Sequence, residues 1–420
     1  MKKFFSILFK ILGVLFLGLL IYLLIGWTTA VKLPSDHTAI GHEQLASQDY
    51  MEVGDSARLL LQGIAKELQL PSLSTAISMD GEVIWAATFG YADIKKKKQP
   101  NLATRYRAGS VSKSMTGLLA AKLAQEGRLK LDASLYEYLP SYPKKEWDFT
   151  LFQLGAHTSG TRHYAGPGKS GFYAEQFSKH HYKSVSESLT VFEEDPLIFK
   201  PGTGFQYSTH GFTLLSAALE VAADQDFISL INDQIWIPSG MDNTRPDDLT
   251  MEDDNRIIPY TNMYGRLIHS EGPDPSYKWA GGGILTTPTD LVKMGQAFMN
   301  EKIVSPGTID SLFKPISLND GNPNPQGYAL GWRNSDESDL LGLSDTIATM
   351  HHGGASPGGN SFLLLIPEKK ISAAVMTNYS LRNSWPMRRA MYTLTGWLIE
   401  HKEIMAEKHH DEQPIENAGH

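Results

Sequence analysis

The chain contains no cysteine among its 420 residues. This absence excludes disulfide bonds, catalysis by a thiolate, zinc sites built on thiolates and the lipid-modified cysteine of a bacterial lipoprotein. It is nevertheless compatible with export from the cytoplasm.

Long runs of positive charge are also missing. The formal net charge is −8, and residues 95–98 form the only basic run. A protein that binds along a nucleic-acid backbone needs a clustered basic surface, so the composition argues against nucleic acid as a partner. The basic run lies near the end of a predicted hairpin, and we interpret it as a solvated turn.

Motifs for metal ligation are scarce as well. The 14 histidines include three adjacent pairs, but there is no H-E-x-x-H motif and no comparable group of ligands. We therefore expect no metal site, and no pattern in the sequence predicts another cofactor. The sequence also predicts nothing about the oligomeric state.

The first thirty residues differ in composition from the rest. Lysines precede and interrupt an apolar stretch over residues 4–27. Its length is closer to the roughly 20 residues of a membrane-spanning helix than to the roughly 7–15 of a signal peptide. The positive flank should stay in the cytoplasm, which would place the rest on the periplasmic or extracellular face. Because residues 28–30 also form a passable cleavage site, residues 1–30 are predicted to be a membrane anchor or a signal segment.

The remaining chain predicts one α/β domain over residues 51–405. A linker over residues 31–50 precedes it, and a polar tail over residues 406–420 follows it. Apolar residues at helical spacing predict a helix over residues 55–68. Asp80-Gly81 predicts the turn of a hairpin.

Two strand-like runs near the C-terminus, over residues 361–366 and 371–378, complete the predicted sheet. We expect an antiparallel sheet flanked by helices, built from residues 51–112 and 291–405. The middle of the chain, residues 113–290, is rich in proline and glycine and is expected to form an inserted, mainly helical lobe. The active site would lie in the cleft between lobe and sheet.

The segment Ser110-Val111-Ser112-Lys113 carries the first chemical signal. Ser110 begins a predicted buried helix over residues 111–126, and Lys113 follows three positions later on the same helix face. A serine hydroxyl is a poor nucleophile until a base takes its proton. A lysine can act as that base when burial lowers its pKa. The pattern S-x-x-K is weak without further context.

Two further segments supply that context. Tyr207 lies where a loop meets a predicted helix over residues 211–221, so its phenol could reach the cleft. The segment His351-His352-Gly353-Gly354 precedes a predicted strand, and its adjacent glycines would expose backbone N–H groups to a substrate.

In this order the motifs resemble the serine β-lactamase and penicillin-binding-protein superfamily, specifically its class C-like branch. The resemblance covers about residues 55–400 and extends to AHTSG (156–160), AGGGILTTPTDL (280–291) and ALGW (329–332). The segments SGTRHY (159–164), DPLIFKPGTGFQYSTHGFTLL (195–215) and YKWAGGGILTTPTDLVKMG (277–295) are most similar to the mitochondrial-type serine β-lactamase-like branch. An organellar inner membrane is therefore also an open setting.

The resemblance implies a role for each matching residue. Ser110 would be the acylated nucleophile, and Lys113 would be its base or the group that holds the base's charge state. Tyr207 would relay protons to the leaving group and could activate the deacylating water. The N–H groups of Ser110 and Gly354 would form the oxyanion hole.

The resemblance also exposes two departures from the family pattern. His351 would replace the lysine of K-T-G, with Gly353 beside it, and Thr209 would replace the asparagine of Tyr-x-Asn. Because histidine is not a permanent cation and threonine lacks an amide, we expect a weaker grip on a substrate carboxylate.

The function predicted from these residues is that of an exported, membrane-anchored serine hydrolase that uses an acyl-enzyme. Peptide, ester and muropeptide-like substrates all suit the site, and we expect a peptidase or an esterase. The alternatives are a penicillin-binding D-Ala-D-Ala carboxypeptidase or β-lactamase and, in another class, a non-catalytic sensor or scaffold on the same fold.

A second serine motif, Gly354-x-Ser356-x-Gly358, resembles the nucleophile elbow of α/β-hydrolases. That elbow needs a helix after the serine and an N–H on the next residue. The next residue is Pro357, which has no N–H, so we reject this motif.

Overall fold

The computed structural model describes residues 2–263 and 265–411. The strands are β1 (Ile40–Leu45), β2 (Ser72–Met79), β3 (Glu82–Gly90), β4 (Tyr106–Arg107), β5 (Arg245–Pro246), β6 (Tyr260–Met263), β7 (Arg266–His269), β8 (Ile284–Thr286), β9 (Arg333–Asp336), β10 (Ala348–Ser356), β11 (Gly359–Ile366) and β12 (Ile371–Thr377).

The longer helices are α1 (Lys2–Thr29), α2 (Met51–Glu67), α3 (Ser112–Gln125), α8 (Thr209–Ala223), α12 (Pro288–Met299) and α15 (Trp385–Asp411). Shorter helices lie between them: α4 (Leu135–Tyr138), α5 (Leu151–Gly155), α6 (Phe172–Gln176), α7 (Val185–Leu189), α9 (Phe227–Ile231), α10 (Ile237–Ser239), α11 (Trp279–Gly282), α13 (Pro306–Leu312) and α14 (Ser338–Leu341).

Seven strands form the central antiparallel sheet, in the order β1-β3-β2-β12-β11-β10-β9. Strand alternation sends successive side chains to opposite faces, and Ala76 and Ile77 of β2 accordingly lie in two separate apolar cores. Helices α2 and α15 cover one face, whereas α12 and the lobe cover the other. The predicted α/β class with an antiparallel sheet is therefore confirmed.

The lobe packs around α3, whose residues are buried over most of its length. The lobe contains helices α3 to α11 and is therefore mainly helical, as predicted. The lobe also contains strands β5 to β8, of which β8 pairs with β4 and β5, and β6 pairs with β7. Helix α3 thus packs against α8 and α11 of the lobe, and the turn that precedes it, Gly109–Val111, contacts β10.

Two boundary predictions are wrong. The expected linker over residues 31–50 contains β1, which pairs with β3 at the edge of the sheet. Its side chains alternate between exposed and half-buried, so its sequence gave little apolar signal. The expected tail begins inside α15, which continues to Asp411, and residues 412–420 lie outside the described residues.

Helix α1 is long and apolar enough to cross a membrane over Phe4–Thr29, and it is not buried against the protein. By composition alone a signal sequence would pass the same test. This finding fits both of the predicted roles for residues 1–30.

Candidate active site

Ser110 is held at the junction of β4 and α3 by a single helical turn, Gly109–Val111. Gly109 has φ of +51°, a conformation that costs energy for residues with a side chain. A Cβ atom at Gly109 would also lie 2.9 Å from the backbone N and O of Ala355. Glycine at this position therefore lets the turn before Ser110 lie directly against β10.

Lys113 lies one turn further along and is completely buried. Its Nζ is 3.3 Å from Ser110 Oγ, 3.1 Å from Thr209 Oγ1 and 2.5 Å from the carbonyl oxygen of Gly281. Burial lowers the pKa of Lys113 well below its ordinary value, and the charges of Lys278 and Arg333 lower it further. Burial and these two positive charges favour a neutral amine beside the serine hydroxyl.

Tyr207 completes the group from the opposite side of the cleft. Its ring lies 4.8 Å from Lys113 Nζ, and its phenol lies near enough to Ser110 for the serine hydroxyl to influence the pKa of the phenol. Burial raises the pKa of Tyr207, although Ser110 and Arg333 oppose the rise. The phenol is therefore protonated at neutral pH and can donate a proton or pass one on.

Thr209 contacts the lysine and not the outer cleft. Besides accepting a hydrogen bond from Lys113 at Oγ1, it donates its backbone N–H to Nδ1 of His163 at 3.1 Å. The third position of the Tyr-x-Asn motif is thus occupied by a residue that helps to orient the amine.

The edge of β10 approaches Ser110 closely at Gly354. A Cβ atom at Gly354 would lie 2.1 Å from the carbonyl oxygen of Ala108, so no side chain fits between the strand and the turn. Gly353 has a different surrounding, because the guanidinium of Arg388 fills the space where its Cβ would lie. Gly354 therefore adjoins the nucleophile, whereas Gly353 makes room for an arginine.

The prediction that His351 lines the cleft is wrong. Its ring packs near Phe362 and Tyr392, on the face of the sheet covered by α15. The neighbouring residue, His352, has its ring centroid 6.2 Å from that of Tyr207. Adjacent strand residues point to opposite faces, and the sequence HHGG did not reveal which histidine faced the serine.

Comparison with known proteins supports the architecture and these motifs together. The Beta-lactamase family matches residues 57–393, which is most of the chain. The chain belongs to the β-lactamase family.

Several members of the β-lactamase family are similar over most of their length. The mouse mitochondrial serine β-lactamase-like protein LACTB is 28% identical over 440 residues, covering 81% of this chain and 80% of its own. The Staphylococcus aureus protein flp (strain MW2) is 25% identical, covering 79% of this chain and 64% of its own. The octameric penicillin-binding protein homologue of Pyrococcus abyssi has a TM-score of 0.67 and 26% identity, covering 82% and 77%. This β-lactamase-family chain is therefore a serine hydrolase, as its sequence predicts.

Arg333 is a residue of this β-lactamase-family site that sequence reasoning missed. It begins β9, directly after the segment ALGW, and its guanidinium lies 5.4 Å from the Tyr207 ring centroid. Its Nη1 donates to Nε2 of His352 at 3.3 Å, and two of its nitrogens donate to Oε1 of Gln326. These acceptors are neutral, so among the described residues no carboxylate pairs with Arg333. The indication in the sequence was the position of Arg333, which immediately follows the family motif ALGW.

Three histidines surround the phenol of this β-lactamase-family site, and all are held neutral. Burial lowers the pKa of His157, His163 and His352, and the charge of Arg333 lowers the pKa of His157 and His352 further. For His163 the pKa falls to about 3. Arg333 is therefore the permanent cation that faces Tyr207 among the described residues, whereas the sequence analysis expected only a titratable histidine at this part of the cleft.

Ser356, the rejected second serine, lies at the end of β10, and β11 follows it after a two-residue turn. A strand therefore stands where a nucleophile elbow would need a helix. Among residues 2–263 and 265–411 there is also no cluster of side chains suited to a metal ion.

Proposed function

We propose that the protein is an exported, membrane-anchored peptidase or esterase that works through an acyl-enzyme on Ser110. The observation that carries the proposal is the buried, low-pKa amine of Lys113, 3.3 Å from Ser110 Oγ. A neutral amine accepts a proton, which an ordinary charged lysine cannot do. The same geometry explains why the serine can act as a nucleophile.

In the proposed acylation step, Lys113 Nζ takes the proton of Ser110 while Oγ attacks the carbonyl carbon of the substrate. The negative charge that develops on the carbonyl oxygen would be stabilised by the backbone N–H groups of Ser110 and Gly354. One such donor contributes about 3–4 kcal/mol to the transition state. Gly354 suits this role because its backbone lies against the turn that carries the serine.

Collapse of the tetrahedral intermediate breaks the bond to the leaving amine or alcohol. That group needs a proton, which the Lys113 ammonium would supply through the phenol of Tyr207. Because burial keeps Tyr207 protonated, we assign it as a relay and Lys113 as the base. A water molecule then attacks the acyl-enzyme, loses its proton along the same route, and releases the acid and free Ser110.

Membrane anchoring and export are supported by α1 and its flanks. The helix spans the length of a bilayer core, and its lysines lie at the cytoplasmic side under the positive-inside rule. The catalytic domain would then face the periplasm, the cell exterior or, by analogy with the mitochondrial relatives, an organellar compartment.

We rank a peptidase or an esterase above a β-lactamase because of two positions, Thr209 and His352. The corresponding residues in the family motifs bind the carboxylate of the substrate. Thr209 is engaged with Lys113 and His163, and His352 is neutral. Neither supplies a charge for a substrate carboxylate.

Arg333 favours a second candidate, a penicillin-binding carboxypeptidase. Its charge faces the cleft without a carboxylate partner in the described part of the chain. A peptide with a free C-terminus, or the carboxylate of a penicillin, would supply that partner.

Intact-protein mass spectrometry after exposure to a fluorophosphonate, and separately to a penicillin, tests both candidates. We expect one adduct that maps to Ser110 and disappears in Ser110→Ala. The matched control is Ser356→Ala, which removes the other motif serine and should leave labelling intact. A penicillin adduct that persists would favour the second candidate, and labelling without turnover would favour a sensor. Labelling that survives in Ser110→Ala would refute the nucleophile.

A further inference from the structure

The end of α1 is fastened to the catalytic domain and does not lead into a free linker. Val31 and Leu267 exchange two backbone hydrogen bonds of 2.8 and 2.9 Å. Arg266, beside Leu267, donates to the carbonyl oxygen of Ala30 at 2.9 Å and lies 5.0 Å from the ring centroid of Trp27. The β6–β7 hairpin therefore sets the position of the domain relative to the helix.

The same hairpin reaches along α1 toward the apolar segment. A Cβ atom at Gly26 would lie 2.9 Å from Sδ of Met263, at the tip of β6. Met263 and the helix residues Leu20 and Leu24 line a shallow apolar cavity of about 370 Å³. If α1 crosses a bilayer, the hairpin tip must lie at the depth where acyl chains meet headgroups.

A second cavity of about 400 Å³ adjoins the same junction. Gly26 and Thr29 of α1, Leu267 of the hairpin and Lys95 are among its walls. Lys95 begins the basic run of residues 95–98, and all four of its lysines are exposed. The basic turn therefore projects beside the point where α1 would leave the bilayer.

Acidic charge in this cavity is limited to one residue. Asp93 is the only carboxylate among its lining residues, and its Oδ1 accepts the backbone N–H of Lys96. His269 also lines the cavity, and burial lowers its pKa, so it adds no charge. Lys95 is the lysine of the run that lines this cavity, whereas Lys98 donates its Nζ to the backbone carbonyl oxygen of Asp254.

We propose that the basic turn of residues 95–98 and the β6–β7 hairpin form a binding surface for the headgroups of anionic phospholipids. The lipids are those of the leaflet that α1 leaves, and the cavity beside Lys95 holds one headgroup. Binding seats the catalytic domain on the membrane. The inference rests on the proposed membrane anchoring by α1.

The physical reason is electrostatic. An anionic leaflet attracts lysines close to its surface, and the attraction decays within a Debye length of about 10 Å in 0.1 M salt. Arg266 beside Trp27 is typical of residues that anchor a chain at the headgroup level. The sequence alone indicates that the basic run is a solvated turn. In the proposal, its lysines bind the headgroups of anionic lipids.

The absence of native cysteine provides the test. Gln99 is exposed next to the run, and Gln99→Cys gives a single site for a fluorescent label on the full chain. The labelled protein is reconstituted into lipid nanodiscs that carry a headgroup quencher, with and without phosphatidylglycerol. We expect stronger quenching with phosphatidylglycerol, and we expect high salt to remove the difference.

Charge variants test whether the lysines of the basic turn, and not the overall charge of the domain, cause the attraction to anionic lipid. The triple variant Lys95→Gln, Lys96→Gln and Lys97→Gln should weaken domain seating roughly 100-fold at low salt, so quenching falls to the level in neutral lipid. The matched control removes three lysines at the other end of the sheet, Lys302, Lys369 and Lys402. The nine residues of β3 put roughly 30 Å between the two ends, and this control should quench like the parent.

If the protein co-elutes with the nanodiscs, α1 is inserted. In that case, equal quenching in both lipids, or unchanged quenching in the triple variant, would overturn the inference. Chain that elutes apart from the nanodiscs would instead refute the anchoring and the inference with it. Co-elution of protein and nanodisc therefore distinguishes the two failures.

Discussion

Replacing Lys113 by methionine removes the proposed base while keeping a long, unbranched, buried side chain. A positioned general base typically contributes 10²- to 10⁴-fold to a rate, or about 3–5 kcal/mol of the barrier. We therefore expect the acylation rate of Lys113→Met by a fluorophosphonate to fall by roughly that factor. Stopped-flow labelling compares the two proteins directly.

The same substitution has a thermodynamic signature that a purely structural lysine would not show. The lowered pKa of Lys113 means that the unfolded chain binds one more proton than the native protein between the native pKa and about 10.4. Stability rises with pH wherever the unfolded state binds more protons. The free energy of unfolding should therefore rise by up to about 1.4 kcal/mol per pH unit in that interval.

Urea unfolding of the full chain in detergent, followed by tryptophan fluorescence between about pH 7.5 and 9.5, measures this slope. Buried histidines with lowered pKa values and buried tyrosines with raised pKa values also contribute to the total slope, so the part that belongs to Lys113 is the difference in slope between the parent and Lys113→Met. Lys113→Met should lose that part, whereas Lys302→Met, at an exposed lysine, should keep it. Equal slopes in the parent and Lys113→Met would mean that Lys113 is charged in the native state, and its assignment as base would fail.

Three further substitutions test the rest of the site. Tyr207→Phe keeps the ring but removes the proposed proton relay, so amide hydrolysis should fall by roughly 10²- to 10⁴-fold. The first-turnover burst of p-nitrophenol from a p-nitrophenyl ester, a leaving group that needs no proton, should fall much less. Gly109→Ala places a Cβ atom 2.9 Å from the backbone of Ala355 and should abolish labelling of Ser110. The control is Gly127→Ala. Gly127 also has a positive φ, of +70°, but no atom lies within 4 Å of the added Cβ, so this variant should label normally. Arg333→Gln should lower kcat/KM for a peptide with a free C-terminus roughly 10- to 100-fold relative to its C-terminal amide; equal losses on both would argue against a bound carboxylate.

The central hairpins could be predicted because local signals agreed with the final packing. Asp80-Gly81 forms the turn between β2 and β3, and Asp80 has the positive φ that such a turn requires. The strands β11 and β12 are buried at every position because both of their faces are covered, and most of their side chains are apolar. Strong local patterns of this kind predict elements even from one sequence.

The strands β1, β9 and β10 were not predicted, and the reason is physical. β1 is an edge strand with only half-buried side chains on its inner face. β10 contains two histidines and two glycines, residues with little intrinsic preference for strands. These segments become strands because a neighbouring strand supplies their hydrogen bonds, which a local pattern does not record.

The sequence by itself determined the family, the antiparallel α/β architecture and the order of the Ser110, Lys113 and Tyr207 motifs, because these depend on local spacing and on turns. Only the tertiary structure decided which histidine faces the cleft, that Arg333 supplies its permanent charge, and that Lys113 is fully buried. Side-chain direction, desolvation and the approach of distant charges depend on how segments far apart in the chain pack together. Those long-range contacts lower the pKa of Lys113, the proposed base.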